Sequence, residues 1–267
     1  MTENQNSPLL RVTNLTKRYG AMVAVDNLSF DLHAGQVLGI GGPNGAGKTT
    51  LFDVISGVSK PSSGTISFED RDVTGQSAEL LCHLGIARTF QLNSVFDTMT
   101  VRENLQCSAY FGTRHRLFPA LRYDADTKIQ AEEALEITGL SDFADTIASG
   151  LPVLQRKLLM LASAIASRPR LLLLDEPVGG LNAREIEQCS VVFRRLRDFH
   201  GISIIVIEHV MSFMTALADN VIILHHGAKL YDGPASGLSG NADVVEVYLG
   251  VSGTKDLSKS GTAGAVI

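Results

Sequence analysis

The 267-residue chain has few cysteines. Cys82, Cys107 and Cys189 form neither an even set nor a C-x-x-C pair, which argues against a disulfide framework or a zinc site and for a reducing compartment. Long apolar runs are missing too. The strongest, residues 171–174 and 202–207, are strand-length and far short of the roughly 20 residues that span a bilayer, so any service to a membrane is expected to be peripheral. The opening MTENQNSPLL carries Glu3 and several amides in place of a basic segment and an apolar stretch, unlike a signal peptide. The chain is expected in the cytosol. Charge is sparse at 19%, and 23 basic against 28 acidic side chains leave a net charge of −5, which weighs against a general nucleic-acid binder.

A hydrophobic content of 45% is ample for a buried core, in one large α/β domain or two small ones. β-branched and aliphatic runs at 9–12, 37–40, 171–174, 204–207 and 221–224 predict strands, several buried on both faces. Helical spacing is clearest over 48–56, 183–199 and 210–217. Such alternation implies a mainly parallel sheet covered by helices, hence an α/β fold. Between about 101 and 166 strand signals vanish, while AEEALEITGL and LLMLASAIA keep helical spacing, so a helical subdomain is expected inside a discontinuous core. The small, polar, glycine-rich end VSGTKDLSKSGTAGAVI buries too little surface to offset its ordering entropy and predicts a flexible tail.

Gly42-Pro43-Asn44-Gly45-Ala46-Gly47-Lys48-Thr49 satisfies GxxxxGK[ST], follows the predicted strand 37–40 and runs into a predicted helix. In that setting successive backbone N–H groups and the helix N-terminus converge on phosphate oxygens. Lys48 adds charge and Thr49 a hydroxyl for Mg²⁺. LLLLDE at 171–176 is a buried strand ending in two acids, where ligands sit in a parallel sheet. Asp175 would hold the Mg²⁺ shell and Glu176 would polarise the attacking water. His209 follows another apolar strand and would reach the same sheet edge if the two strands are parallel neighbours. The other six histidines read as ordinary caps or core residues.

Together these motifs resemble the ATP-binding subunits of ABC transporters, and most closely those of LIV-type branched-chain amino acid importers, over about residues 8–250. The resemblance implies a P-loop NTPase (RecA-like) core at 8–93 and 167–250, an antiparallel β subdomain, a helical subdomain at 94–166 and a tail at 251–267. It implies that Gly42 to Thr49 and Thr50 bind ATP, and that Tyr19 in LTKRYG stacks on adenine. Gln91, in GIARTFQLNSVFDTMTVRENL, takes the Q-loop position beside Mg²⁺ and the water. Gly180 to Asn182 resembles the D-loop and His209 in IEHVMSFM the switch histidine; DVVEVYLG resembles the C-terminal helix. ATP and Mg²⁺ are the implied cofactors. The implied partners are a second ATPase subunit, integral-membrane permeases whose coupling helix enters a groove at 93–104, and indirectly a solute-binding protein. No nucleic acid is expected, and the implied location is the inner face of the cell membrane.

The signature segment departs from the family. Aligned without gaps, Leu151-Pro152-Val153-Leu154-Gln155 stands where the family has LSxGQ, and Ser163 where it often has arginine. Pro152 supplies neither hydroxyl nor N–H, and Leu154 is expected to push a branched side chain toward the γ-phosphate. Losing one preorganised donor costs about 10²–10³ in rate, so the site completed by this segment is expected to be nearly inert, in an obligate heterodimer with asymmetric sites. A shifted register using Ser149-Gly150 is the alternative. Also open are an importer of urea, amides or aromatic acids, a soluble non-transport ABC ATPase, and a regulatory subunit that binds ATP without hydrolysing it.

Overall fold

The computed structural model describes residues 7–89, 95–112 and 123–249. Gln91, the expected core-to-helix boundary at 93–94 and the tail 251–267 lie outside the described residues. In chain order the elements are β1 Leu10–Tyr19, β2 Met22–Leu32, β3 Val37–Gly41, α1 Lys48–Ile55, β4 Ser63–Phe68, β5 Arg71–Asp72, α2 Ala78–His83 and β6 Ile86–Thr89. There follow α3 Val101–Gly112, α4 Ala125–Thr138, α5 Val153–Ile165, β7 Leu171–Asp175, α6 Ala183–His200 and β8 Ser203–Ile207. The chain then forms α7 Met211–Leu217, β9 Asn220–His225, β10 Ala228–Pro234 and α8 Ala242–Leu249.

Six strands form one sheet in the order β10-β9-β3-β8-β7-β6. β9, β3, β8, β7 and β6 are mutually parallel and only β10 runs antiparallel. Side chains alternate across such strands, and the two faces read directly from β7. Leu171 and Leu173 join Ile205, Ile207, Ile222 and Leu224 in a core with α1 and the second sheet, while Leu172 and Leu174 join Ile204, Val206, Val221 and Ile223 in a core with α5, α6 and α7. A strand apolar at every position is therefore buried on both sides, as its unbroken leucine run predicts.

The second sheet is antiparallel, in the order β2-β1-β4-β5. Sequence periodicity located only the start of β1 and none of β2, β4 or β5, because these strands alternate between buried and exposed positions too irregularly; the β1–β2 register shifts three times. Among the described residues of 101–166 the elements are helical, and Ile147 forms an isolated bridge with Thr100. Asp124 caps α4 by accepting from the Thr127 N–H, and Gly139 ends that helix in the left-handed conformation. Asn182 and Glu185 form a reciprocal capping box at the start of α6, a local signal that fixes where the helix begins.

Candidate active site

After Gly41 the chain curls through a loop that only glycine permits at two points. Gly42 has φ 136° and Gly47 φ 101°, and a Cβ at these positions would lie 2.2 Å from the Leu224 carbonyl oxygen and 2.1 Å from that of Ala24. The curl delivers the chain into α1, whose N-terminus has no side-chain cap and no acidic residue in its first turn. The positive end of the helix dipole thus meets no negative side chain of its own turn, which suits an anion. Lys48 is 6% exposed. Its Nζ donates to the carbonyls of Gly42 at 2.7 Å and Pro43 at 2.9 Å. Burial lowers its pKa, and the negative charges of Glu176 and Asp175 oppose that shift.

A cleft of about 530 Å³ opens beside the loop, bounded by Asn44, Gly45 and the stretch from Gly47 to Thr50, with Met22, Val23 and Ala24 on one wall and Glu176 and His226 on others. Thr49 faces outward at the start of α1. Tyr19, half exposed at the end of β1, carries the Lys17 ammonium 4.8 Å from its ring centroid. It does not line this cleft. The apolar side chains of Met22 and Val23, which carry no motif, do.

Asp175 ends β7, which lies parallel and adjacent to β8. Its Oδ2 accepts from Arg88 Nη2 at 3.2 Å, while Oδ1 is buried without a hydrogen-bond partner. Burial raises its pKa, with Arg88 the main opposing influence. An oxygen of this kind, out of contact with water and lacking a donor, fits a hard cation or one of its water ligands. Arg88 was not found by motif reading, although a cation inside the short strand IART is a visible oddity. It also reaches Asp53 at 2.7 Å and Ser56 Oγ at 3.1 Å, and lies over the Phe52 ring.

Glu176 follows in a left-handed conformation, φ 50°, rare for a residue with a side chain. Its N–H donates to the Ile207 carbonyl at 2.9 Å, and its carbonyl accepts from Lys157 Nζ at 3.2 Å. The predicted meeting at one sheet edge occurs: His209 Nε2 lies 3.1 Å from Glu176 Oε1.

At the signature segment one expectation needs correction. Pro152 is the N-cap of α5 and Ser149-Gly150 lie in the short turn before it. Leu154 is 7% exposed and packs with Leu158, Leu161 and Ile165 in the core, whereas Val153 is 58% exposed. At 100° per residue, positions 154, 158, 161 and 165 share the inner face. Val153, not Leu154, is thus the apolar side chain that protrudes at the helix start.

A five-stranded parallel array in which β3 feeds a glycine loop and its helix, and β7, two places along, ends in acids, defines a P-loop NTPase, here joined to an antiparallel sheet. The ABC transporter family matches residues 25–179, and the chain belongs to that family. It is 34% identical over 252 residues to the high-affinity branched-chain amino acid transport ATP-binding protein LivG of Salmonella typhimurium, covering 92% of this chain and 99% of the relative. It is 32% identical over 250 residues to BraF of Pseudomonas aeruginosa, a protein of the same description, covering 91% and 98%. Among solved structures, an ATP-binding cassette of an ABC transporter in its ADP conformation superposes with a TM-score of 0.84 at 29% identity, covering 92% of this chain and all of that one.

Proposed function

We propose that the chain is the ATP-hydrolysing subunit of an importer of branched-chain amino acids, seated on the cytoplasmic face of the cell membrane. The observation that carries the hydrolytic part is the convergence of Lys48, Asp175, Glu176 and His209 at one end of the sheet. In this reading the loop from Gly42 to Thr50 cradles the phosphates and Lys48 leaves its two carbonyl partners for them. Asp175 Oδ1 and Thr49 hold Mg²⁺, which supplies charge neutralisation on the γ-phosphate when bound. Glu176 orients the attacking water, and His209 holds Glu176 and the γ-phosphate side of the cleft. Gln91 completes the metal side, and Tyr19, which does not line the cleft but is paired across β1 and β2 with the cleft-lining Met22, serves the adenine side. The division into a core at 8–93 and 167–250 and helices at 94–166 belongs to the same proposal.

The cargo rests on relatives that match along nearly their whole length and are described as branched-chain amino acid transport ATP-binding proteins. The partners are integral-membrane permeases and, because Pro152 stands at the signature serine with neither hydroxyl nor N–H and Leu154 at its glycine, a second ATPase subunit whose own signature completes the site on this chain.

In the native cells Lys48→Ala should abolish uptake of labelled leucine, isoleucine and valine. Unchanged uptake of these together with lost uptake of urea or an aromatic acid would move the cargo to another importer of this lineage. Purified alone, the chain should hydrolyse ATP feebly; robust turnover as a homodimer would overturn the requirement for a different partner.

A further inference from the structure

Glu208 is a carboxylate with 1% exposure, placed between the apolar strand β8 and His209. An ion this deep costs several kcal/mol unless hydrogen bonds replace its water. Here they do. Oε1 accepts from the Val178 N–H at 2.9 Å; Oε2 accepts from the His209 N–H at 2.9 Å and the Val210 N–H at 3.4 Å. Its own N–H points to the Ile40 carbonyl of β3 at 3.4 Å, the strand that leads into the phosphate loop.

These bonds close a ring. From Val178 the chain continues to Gly179, whose N–H donates to the Glu176 carbonyl at 3.3 Å and so holds the turn that presents Glu176 in its left-handed conformation. From the other end, the His209 backbone held by Oε2 carries the imidazole that meets Glu176 Oε1 at 3.1 Å. One buried carboxylate thereby anchors both loops whose side chains must meet, one with each oxygen. Its two oxygens reach the two separate loops that carry the two halves of a single side-chain pair, one oxygen to each loop.

We propose that Glu208 is the positioning residue of the ATPase site: it holds the Glu176 turn and the His209 loop in register, so that Glu176 and His209 stay within hydrogen-bond reach. The role rests on the hydrolytic reading above. It also links the site to the 180–182 loop, since any displacement of that loop pulls on Val178, the group bound by Oε1.

Steady-state ATP hydrolysis by the assembled transporter tests this. In Glu208→Gln the amide can keep only one acceptor and sets an N–H against the N–H of its other partner. We expect kcat to fall tenfold or more with KM for ATP changed less than twofold, because the phosphate loop and Lys48 are untouched. Combining Glu208→Gln with His209→Ala should be no worse, within twofold, than His209→Ala alone, since both act through one contact. Multiplying effects, or a loss expressed in KM, would mark a general structural role and overturn the assignment, as would a wild-type kcat. Should Glu208→Gln fail to fold, Glu208→Asp, which keeps the charge and shortens the reach, is read by the same criteria; if neither folds, the assignment is overturned. Failure of the hydrolytic reading looks different: the wild-type complex itself is inactive, or Glu176→Gln turns over normally.

Discussion

Replacing Arg88 by Met removes the ion-pair partner of the buried Asp175 carboxylate while keeping an unbranched side chain of similar reach. In the wild type the guanidinium lies 3.2 Å from Asp175 Oδ2 and 2.7 Å from Asp53 Oδ1, and only 6% of its side chain is exposed. Breaking a buried pair from one side costs about 3–5 kcal/mol, because the other charge stays buried and uncompensated. Most of that falls on Asp175, since the Asp53 side chain is partly in water. At roughly 2–4 °C per kcal/mol for a chain of this size, the melting temperature should drop by about 10 °C. The deficit should also depend on pH. Asp175 is already raised by burial and Arg88 opposes the rise, so the variant carboxyl titrates higher still. A carboxyl raised in the fold contributes stability below its unfolded pKa and loses it as pH rises through the folded value, so the gap from wild type should be widest near about pH 8 and narrow toward about pH 5. Thermal unfolding without nucleotide or metal measures it. The double variant Arg88→Met with Asp175→Asn should recover much of the loss, because the orphaned charge is gone. A drop of under about 2 °C, the same at both pH values and unrelieved in the double variant, would refute the argument that Arg88 holds a buried charge.

Two further outcomes follow from the structure of the phosphate loop and of α6. Gly47→Ala, at φ 101° with its new methyl 2.1 Å from the Ala24 carbonyl oxygen, should displace the phosphate loop and weaken binding of a fluorescent ATP analogue at least tenfold while far-UV circular dichroism is unchanged; wild-type affinity would contradict the geometry. Cys189 is buried and its thiol is pushed up to about 11. Native-state alkylation at about pH 8 should therefore proceed on the order of 100-fold slower than in the denatured chain, rising about tenfold per pH unit, as follows from its small thiolate fraction; equal rates would contradict the burial.

Phosphate-loop residues 42–49 were legible because their chemistry is local: eight consecutive positions, a preceding apolar strand and a following helix are all the feature needs. The same is true of the buried strand 171–175 and its terminal acids, and of the helix starting after Asn182, where a capping box sits in four residues. Strands β2, β4 and β5 were not legible, since their exposure pattern is broken by bulges and short lengths and is set by which sheet they join. Leu154 shows the limit at a single residue. Its spacing to 158, 161 and 165 was present in the chain, yet only the packed helix decided that this leucine points inward and Val153 outward.

Sequence alone determined that a triphosphate cradle, an acid-ended strand and a histidine exist, because each is written within a few neighbouring residues. Tertiary structure alone decided that they meet. Parallel pairing of β7 and β8 brings together Glu176 and His209, 33 residues apart, at 3.1 Å, and β6 beside β7 sets Arg88 against Asp175 across 87 residues. Glu208 belongs wholly to that second category: an isolated glutamate in the sequence becomes, once folded, an ion whose two oxygens are bound by two separate loops. Contacts between distant segments depend on strand order and register, and no local pattern encodes which strand will lie beside which.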